Sequence, residues 1–270
     1  MIIVKLVGGL GNQLFQYAAG RQIAEFHKTE LLLDVSEFET YELHKYSLFG
    51  LKLEENFASQ EQINKLPVFK EKHFHFDIDF KNIPNDVILK GYWQTEKYFI
   101  NIESIIRDEF SLKKEAEGEN KKVLQKIQGM NAVSLHIRRG DYVLNTYENQ
   151  ILVSKDLAYF NRCVEYIVER VPDCHFYIFS DDTMWAKENL SLKYPVTFVD
   201  HNDAITNYED LRLMSFCKHN IICNSSFSWW GAWLNSNPDK IICAPRKWFS
   251  DETKFIDSKD LVPATWVKFE

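Results

Sequence analysis

The segment Ala132-Val133-Ser134-Leu135-His136-Ile137-Arg138-Arg139-Gly140-Asp141-Tyr142 decides how this chain is read. Its first six residues form a short apolar run that stops at Gly140, as a buried strand of a parallel sheet does. Two adjacent guanidiniums, a histidine and a carboxylate then follow on the strand's carboxyl lip, where ligands of open α/β sheets lie. Arginine presents a planar fork of donors that fits a phosphate and keeps its charge. Arg138 and Arg139 are therefore read as holding a diphosphate. The competing reading is that they only form salt bridges with nearby Asp or Glu.

Outward from this segment, strands and helices alternate with short connections. Strands are predicted at 132–137, 175–179, 196–199, 220–223 and 240–244, and helices at 156–170, 182–190, 209–217 and 227–235. That order predicts a parallel sheet with helices on both faces. The chain's start repeats the theme. Ile2 to Val7 reads as a buried strand, Gly8-Gly9-Leu10-Gly11-Asn12-Gln13 as a glycine loop, and Phe15, Ala18, Ala19, Gln22, Ile23 and Phe26 recur at helical spacing. Such a loop brings backbone amides and a helix N-terminus to a polar ligand. Its spacing fits neither the dinucleotide fingerprint nor a P-loop. Further strands are expected at 31–34 and 87–93 and a helix at 96–110. The stretch His73 to Phe80 alternates at period two and reads as a half-buried strand, with His73 and His75 on the surface. The polar run 111–122 marks a domain boundary, giving an N-terminal domain 1–120 and a C-terminal domain 121–270.

Bulk properties narrow the function. With 45% hydrophobic and 26% charged residues the composition is that of a globular protein, and a net charge of −7 leaves no electrostatic footprint for nucleic acid. The five cysteines show no metal or redox spacing and read as reduced core residues. No run of about 18 apolar residues occurs. The expected location is therefore cytoplasmic, with peripheral association at the inner membrane surface as the closest approach to a bilayer.

Two more strand ends carry polar groups. Ser180-Asp181-Asp182 ends the strand at 175–179. A carboxylate there either caps the next helix or accepts the N1–H and N2–H of a guanine. Asn224-Ser225-Ser226-Phe227 follows the strand at 220–223 and leads into a helix, an arrangement that receives anions. The tryptophans that follow divide: Trp230 and Trp233 read as core, whereas Trp229 could lie near a sugar. Together these groups describe a site for a guanosine diphosphate.

The combined motifs, Gly8 to Ala18, His136 to Tyr142, Ser180 to Asp182 and Asn224 to Gly231, resemble the α-1,2-fucosyltransferases of glycosyltransferase family 11. The resemblance implies an α/β fold of GT-B type, two Rossmann-like domains with parallel sheets facing across a cleft. It implies transfer of L-fucose from GDP-L-fucose, with inversion, to the 2-hydroxyl of a terminal β-galactoside, with no cofactor and no required metal. It also implies a bacterial member acting in surface-glycan or O-antigen synthesis. By position, Arg138 matches the β-phosphate arginine, and His136 with Asp181 or Asp182 the nucleoside contacts. Gly9, Gly11 and Asn12 match a loop facing the donor, and Ser225, Ser226 and Phe227 the remaining phosphate and base contacts. Asp141, the carboxylate nearest in sequence to the arginines, is the candidate general base. Two other readings remain at this point: a metal-dependent glycosyltransferase using Asp77 and Asp79, and a non-catalytic protein that binds a nucleotide sugar or glycan.

Overall fold

The computed structural model describes residues 1–40, 43–139, 156–249 and 257–270. The chain forms two α/β units. The first spans Met1–Lys114 and is joined by residues 257–263; the second begins at Glu115 and includes the C-terminal residues from Ala264. Both limits differ from the expected division at 120/121. The polar run is not a linker throughout, because residues 118–128 form a helix whose Val123 and Ile127 are buried against Leu213, Met214 and Cys217. Residues 257–263 belong to the first unit for a physical reason. Asp260 accepts from the Phe76 amide at 3.0 Å, its carbonyl accepts from Thr95 Oγ1 at 2.7 Å, and its carboxylate pairs with Lys97 at 2.5 Å.

Unit 1 holds β1 (Ile2–Lys5), α1 (Leu10–His27), β2 (Leu31–Asp34), α2 (Gln60–Lys65), β3 (Val68–Lys70), β4 (Val87–Lys90) and α3 (Glu103–Glu109). Its strands are all parallel, in the order β2-β1-β4-β3. Ile2, Ile3 and Val4 are fully buried, as a continuous apolar run with helices on both faces requires.

Two expectations fail here. Residues 73–80 are not a strand. Asp77 turns the chain by accepting from the Asp79 amide at 2.9 Å, which opens a 3₁₀ turn over Ile78–Asn82. Period-two alternation arises there from aromatic packing, with Phe76 and Phe80 both against Tyr98, rather than from pleating. The expected helix 96–110 is likewise broken into 3₁₀ turns at Glu96–Tyr98 and Ile100–Ile102 before α3 begins, because Phe99 leaves helical geometry at φ −140°.

Unit 2 holds α4 (Gly118–Gln128), β5 (Asn131–Ile137), α5 (Leu157–Val168), β6 (Cys174–Ser180), α6 (Thr183–Asn189), β7 (Val196–Val199), α7 (Asn207–Phe216), β8 (His219–Ile221), α8 (Ser226–Trp233), β9 (Ile242–Pro245) and β10 (Val267–Phe269). The six strands are parallel in the order β10-β9-β8-β5-β6-β7. The short edge strand β10 was not anticipated. β5 leads to β6 and β7 on one side, and the chain then returns to place β8 on the other. The strand order therefore reverses between β5 and β8. All five cysteines are buried and unpaired.

Candidate functional site

Register builds the site. Ile137 of β5 lies opposite Ser180 of β6, so the residues leaving the two strands emerge together. Arg138 Nε stands 3.2 Å from Asp181 Oδ2, and the same carboxylate accepts from the Arg139 amide at 2.8 Å. Arg139 Nε lies 3.7 Å from Asp182 Oδ2, and its guanidinium stacks 3.8 Å above the ring of Trp185. Asp182 also caps α6, accepting from the Trp185 amide at 3.1 Å, while Ser180 Oγ accepts from the Asp182 amide at 3.1 Å. The arginines read as phosphate ligands and the aspartates read as base ligands thus form one ion-paired network. Both simpler readings, salt bridge and helix cap, are realised. The carboxylates fix where the guanidinium forks point.

On the other side of β5 lies the reversal of strand order, where open α/β sheets carry their ligand crevice. Here His136 Nδ1 meets Cys223 Sγ at 3.3 Å, and the imidazole tilts against Phe227 at 5.6 Å between centroids. Asn224 is buried, its Nδ2 donating to the Trp248 carbonyl at 3.1 Å. Ser225 occupies the N-cap of α8 but its side chain makes no capping hydrogen bond. The amides of the first turn of α8 are thus not satisfied by that hydroxyl, which suits an anion. Ser226 and Phe227 form that first turn. Trp229 is fully buried, stacked on Trp233 at 6.2 Å and against Trp266 at 5.4 Å, so the expected sugar contact is corrected to core.

His136 is only 4% exposed. Burial, helped by the Arg138 charge and opposed by Asp181, lowers its pKa to about 4. The imidazole is therefore neutral near pH 7. Because the folded value lies below the unfolded one, the unfolded chain takes up the proton first as pH falls. Stability contributed by His136 is full above about pH 6.5 and is lost as pH falls toward about 4. The loss should be on the order of 3 kcal/mol. Urea titrations from pH 7 to pH 4.5 should show this slope in the wild type and a flatter one in His136→Asn.

In unit 1 the glycine loop is shorter than read. Gly8 has φ +74°, and a Cβ there would stand 2.6 Å from Asn12 Nδ2, so glycine is required. Gly9 is the N-cap of α1 in extended geometry, while Gly11 and Asn12 lie inside the first helical turn rather than in a loop. Asn12 Oδ1 accepts from Gln94 Nε2 at 2.8 Å. Gly140 and Asp141 lie outside the described residues.

Sequence reading missed two participants. Trp185 was legible in principle, three residues beyond the Asp182 cap on the same helix start. Cys223 gave no signal, since only strand pairing brings it to His136. The alternative metal pair is differently engaged: Asp77 caps a turn, and Lys72 Nζ lies 3.6 Å from Asp77 and 3.7 Å from Asp79.

Comparison with known proteins agrees with this architecture. The family model described as glycosyl transferase family 11 matches residues 1–270. An α-1,2-colitosyltransferase of Escherichia coli is 34% identical over 293 residues, covering 100% of this chain and 99% of that protein. Galactoside α-(1,2)-fucosyltransferase 2 of Hylobates lar is 23% identical, covering 87% of this chain and 69% of its own length. Among solved structures, POFUT1 in complex with GDP superposes with a TM-score of 0.50 at 12% identity, covering 89% of this chain and 98% of that one, which is a likeness of fold. Two parallel-sheet units of Rossmann type place the chain in the α/β, GT-B class. No helix among the described residues is long and apolar enough to cross a membrane. The chain belongs to glycosyl transferase family 11 and is a glycosyltransferase.

Proposed function

We propose that this glycosyltransferase moves a 6-deoxy-L-hexose, L-fucose in the first instance, from its GDP derivative to the 2-hydroxyl of a terminal β-galactoside, with inversion. The observation that carries the reading is the crevice between β5 and β8. It joins Arg138, held by Asp181, to the N-terminus of α8, whose N-cap Ser225 makes no side-chain capping bond. A guanidinium fork and helix amides together suit a diphosphate whose charge grows as the sugar–phosphate bond breaks. His136, Asn224 and Phe227, gathered where β5 and β8 end, are assigned to the nucleoside side. Asp141 is retained as the proposed general base for the acceptor hydroxyl. Catalysis by charge stabilisation needs no resident metal in this scheme.

The 34% identity to a colitosyltransferase supports a second donor reading, GDP-colitose. Colitose is L-fucose without the 3-hydroxyl. A site built to hydrogen-bond that hydroxyl would reject colitose strongly, whereas an apolar pocket would discriminate only about 10–200-fold. The test is transfer from labelled GDP-L-fucose and GDP-colitose to lactose, N-acetyllactosamine and galactosyl-GalNAc in EDTA, with linkage assigned by NMR. An α-1,2 product from GDP-fucose is the expected result. Preference for GDP-colitose would replace the donor and keep the reaction. Activity lost in EDTA and restored by Mn²⁺ would revive the Asp77/Asp79 reading, and saturable GDP-sugar binding without transfer or hydrolysis would indicate a non-catalytic protein.

A further inference from the structure

Unit 1 has a reversal of strand order of its own. β1 pairs with β2 on one side and with β4 on the other, so its ligand crevice lies where the glycine loop leaves β1 and residues 91–94 leave β4. The two exits are tied together by the Gln94 to Asn12 hydrogen bond at 2.8 Å.

The β4 exit is strained and over-determined. Trp93 has φ +56°, an outlier for a bulky residue, yet its side chain is fully buried. Glu71, leaving the adjacent strand β3, holds this geometry by accepting from the Tyr92 amide at 2.7 Å and the Trp93 amide at 2.9 Å. Gly91 is required there, since a Cβ would meet Glu71 Cβ at 2.4 Å. The result is a turn in which Trp93 is locked inward. Tyr92, between Gly91 and Trp93, remains 36% exposed, with the Phe74 ring 6.0 Å away at 37°.

We propose that Tyr92 and Phe74 form a carbohydrate platform beside this crevice, where the chain leaves β4 and β3, stacking on the apolar face of a pyranose of the neutral acceptor glycan. Adjacent aromatic rings on a rigid exit suit the C–H face of a sugar, because each offers apolar area at little entropic cost. The nearest lysine does not favour a phosphorylated ligand: Lys72 is already shared between Asp77 and Asp79. The proposal rests on the acceptor half of the function above, so its test must not depend on the donor half.

The test is saturation-transfer NMR of lactose and N-acetyllactosamine on the full chain, beside calorimetric GDP binding. Expected is transfer to galactose ring protons in the wild type and in Tyr92→Phe. In Tyr92→Ala, glycan affinity should fall at least about tenfold, a loss of more than 1.4 kcal/mol, with an unchanged thermal midpoint as the control for folding. Glycan affinity within twofold of wild type in Tyr92→Ala, or no saturation of either glycan by the wild type, would overturn the platform. Failure of the donor reading shows separately, as absent GDP binding with glycan binding intact.

Discussion

Arg138→Ala is expected to lower sugar transfer by about 10²–10³-fold, the usual cost of losing one preorganised donor to a developing oxyanion. The residue follows the last strand position of β5, and on the β6 side of that strand Asp181 fixes its Nε at 3.2 Å. Its side chain is 26% exposed and paired with Asp181, so a lost rate counts as lost chemistry where the thermal midpoint stays near that of the wild type. Arg138→Lys should fail almost as badly, since a point charge neither reproduces the bidentate fork nor reaches Asp181 in the same geometry. Initial rates with saturating acceptor, alongside a melting curve, decide the matter. Retention of more than about a tenth of the wild-type rate would remove Arg138 from the chemistry.

Trp229→Ala should act in the opposite way, through stability. The indole is fully buried, stacked on Trp233 and packed edge-on against Trp230 at 5.0 Å. Truncating a buried tryptophan costs about 3–5 kcal/mol, because the cavity closes only in part. A shift of that size in urea unfolding is the expected result. The residue sits one turn beyond Ser225 and Ser226, so activity should fall as the α8 N-terminus loses its support, and a stabilising osmolyte should restore part of it. A stability change below about 1 kcal/mol with activity lost would instead return Trp229 to the sugar contact suggested by its sequence neighbours.

Much of the fold is legible in the amino-acid sequence. Mostly apolar short runs such as Ile2 to Val7 and Ala132 to Ile137 read as strands buried on both faces, and helical periods between them favour parallel pairing. Polar residues at the ends of such runs, Arg138, Asp181 and Ser225 among them, were readable as lip residues for the same reason. Local pattern misled where side-chain packing or capping outweighed periodicity. Residues 73–80 alternate like a strand but are bent by Asp77, and the helix expected from 96 is interrupted where Phe99 turns inward. Glycine content alone did not show that Gly8 takes the left-handed conformation while Gly11 is helical.

Sequence by itself determined the class of the protein: an α/β chain, parallel strands, and charged or hydroxyl groups gathered at strand ends. Tertiary structure alone decided strand order, and with it the partners. Nothing local says that β8 returns to the far side of β5, and this return brings Cys223 against His136 and the Arg138 backbone. Nor could sequence say whether Arg138 and Asp181 address separate parts of a ligand or each other, since their contact depends on the register of two strands more than 40 residues apart. Pairing across such distances is set by burial of whole faces, a property of the assembled sheet.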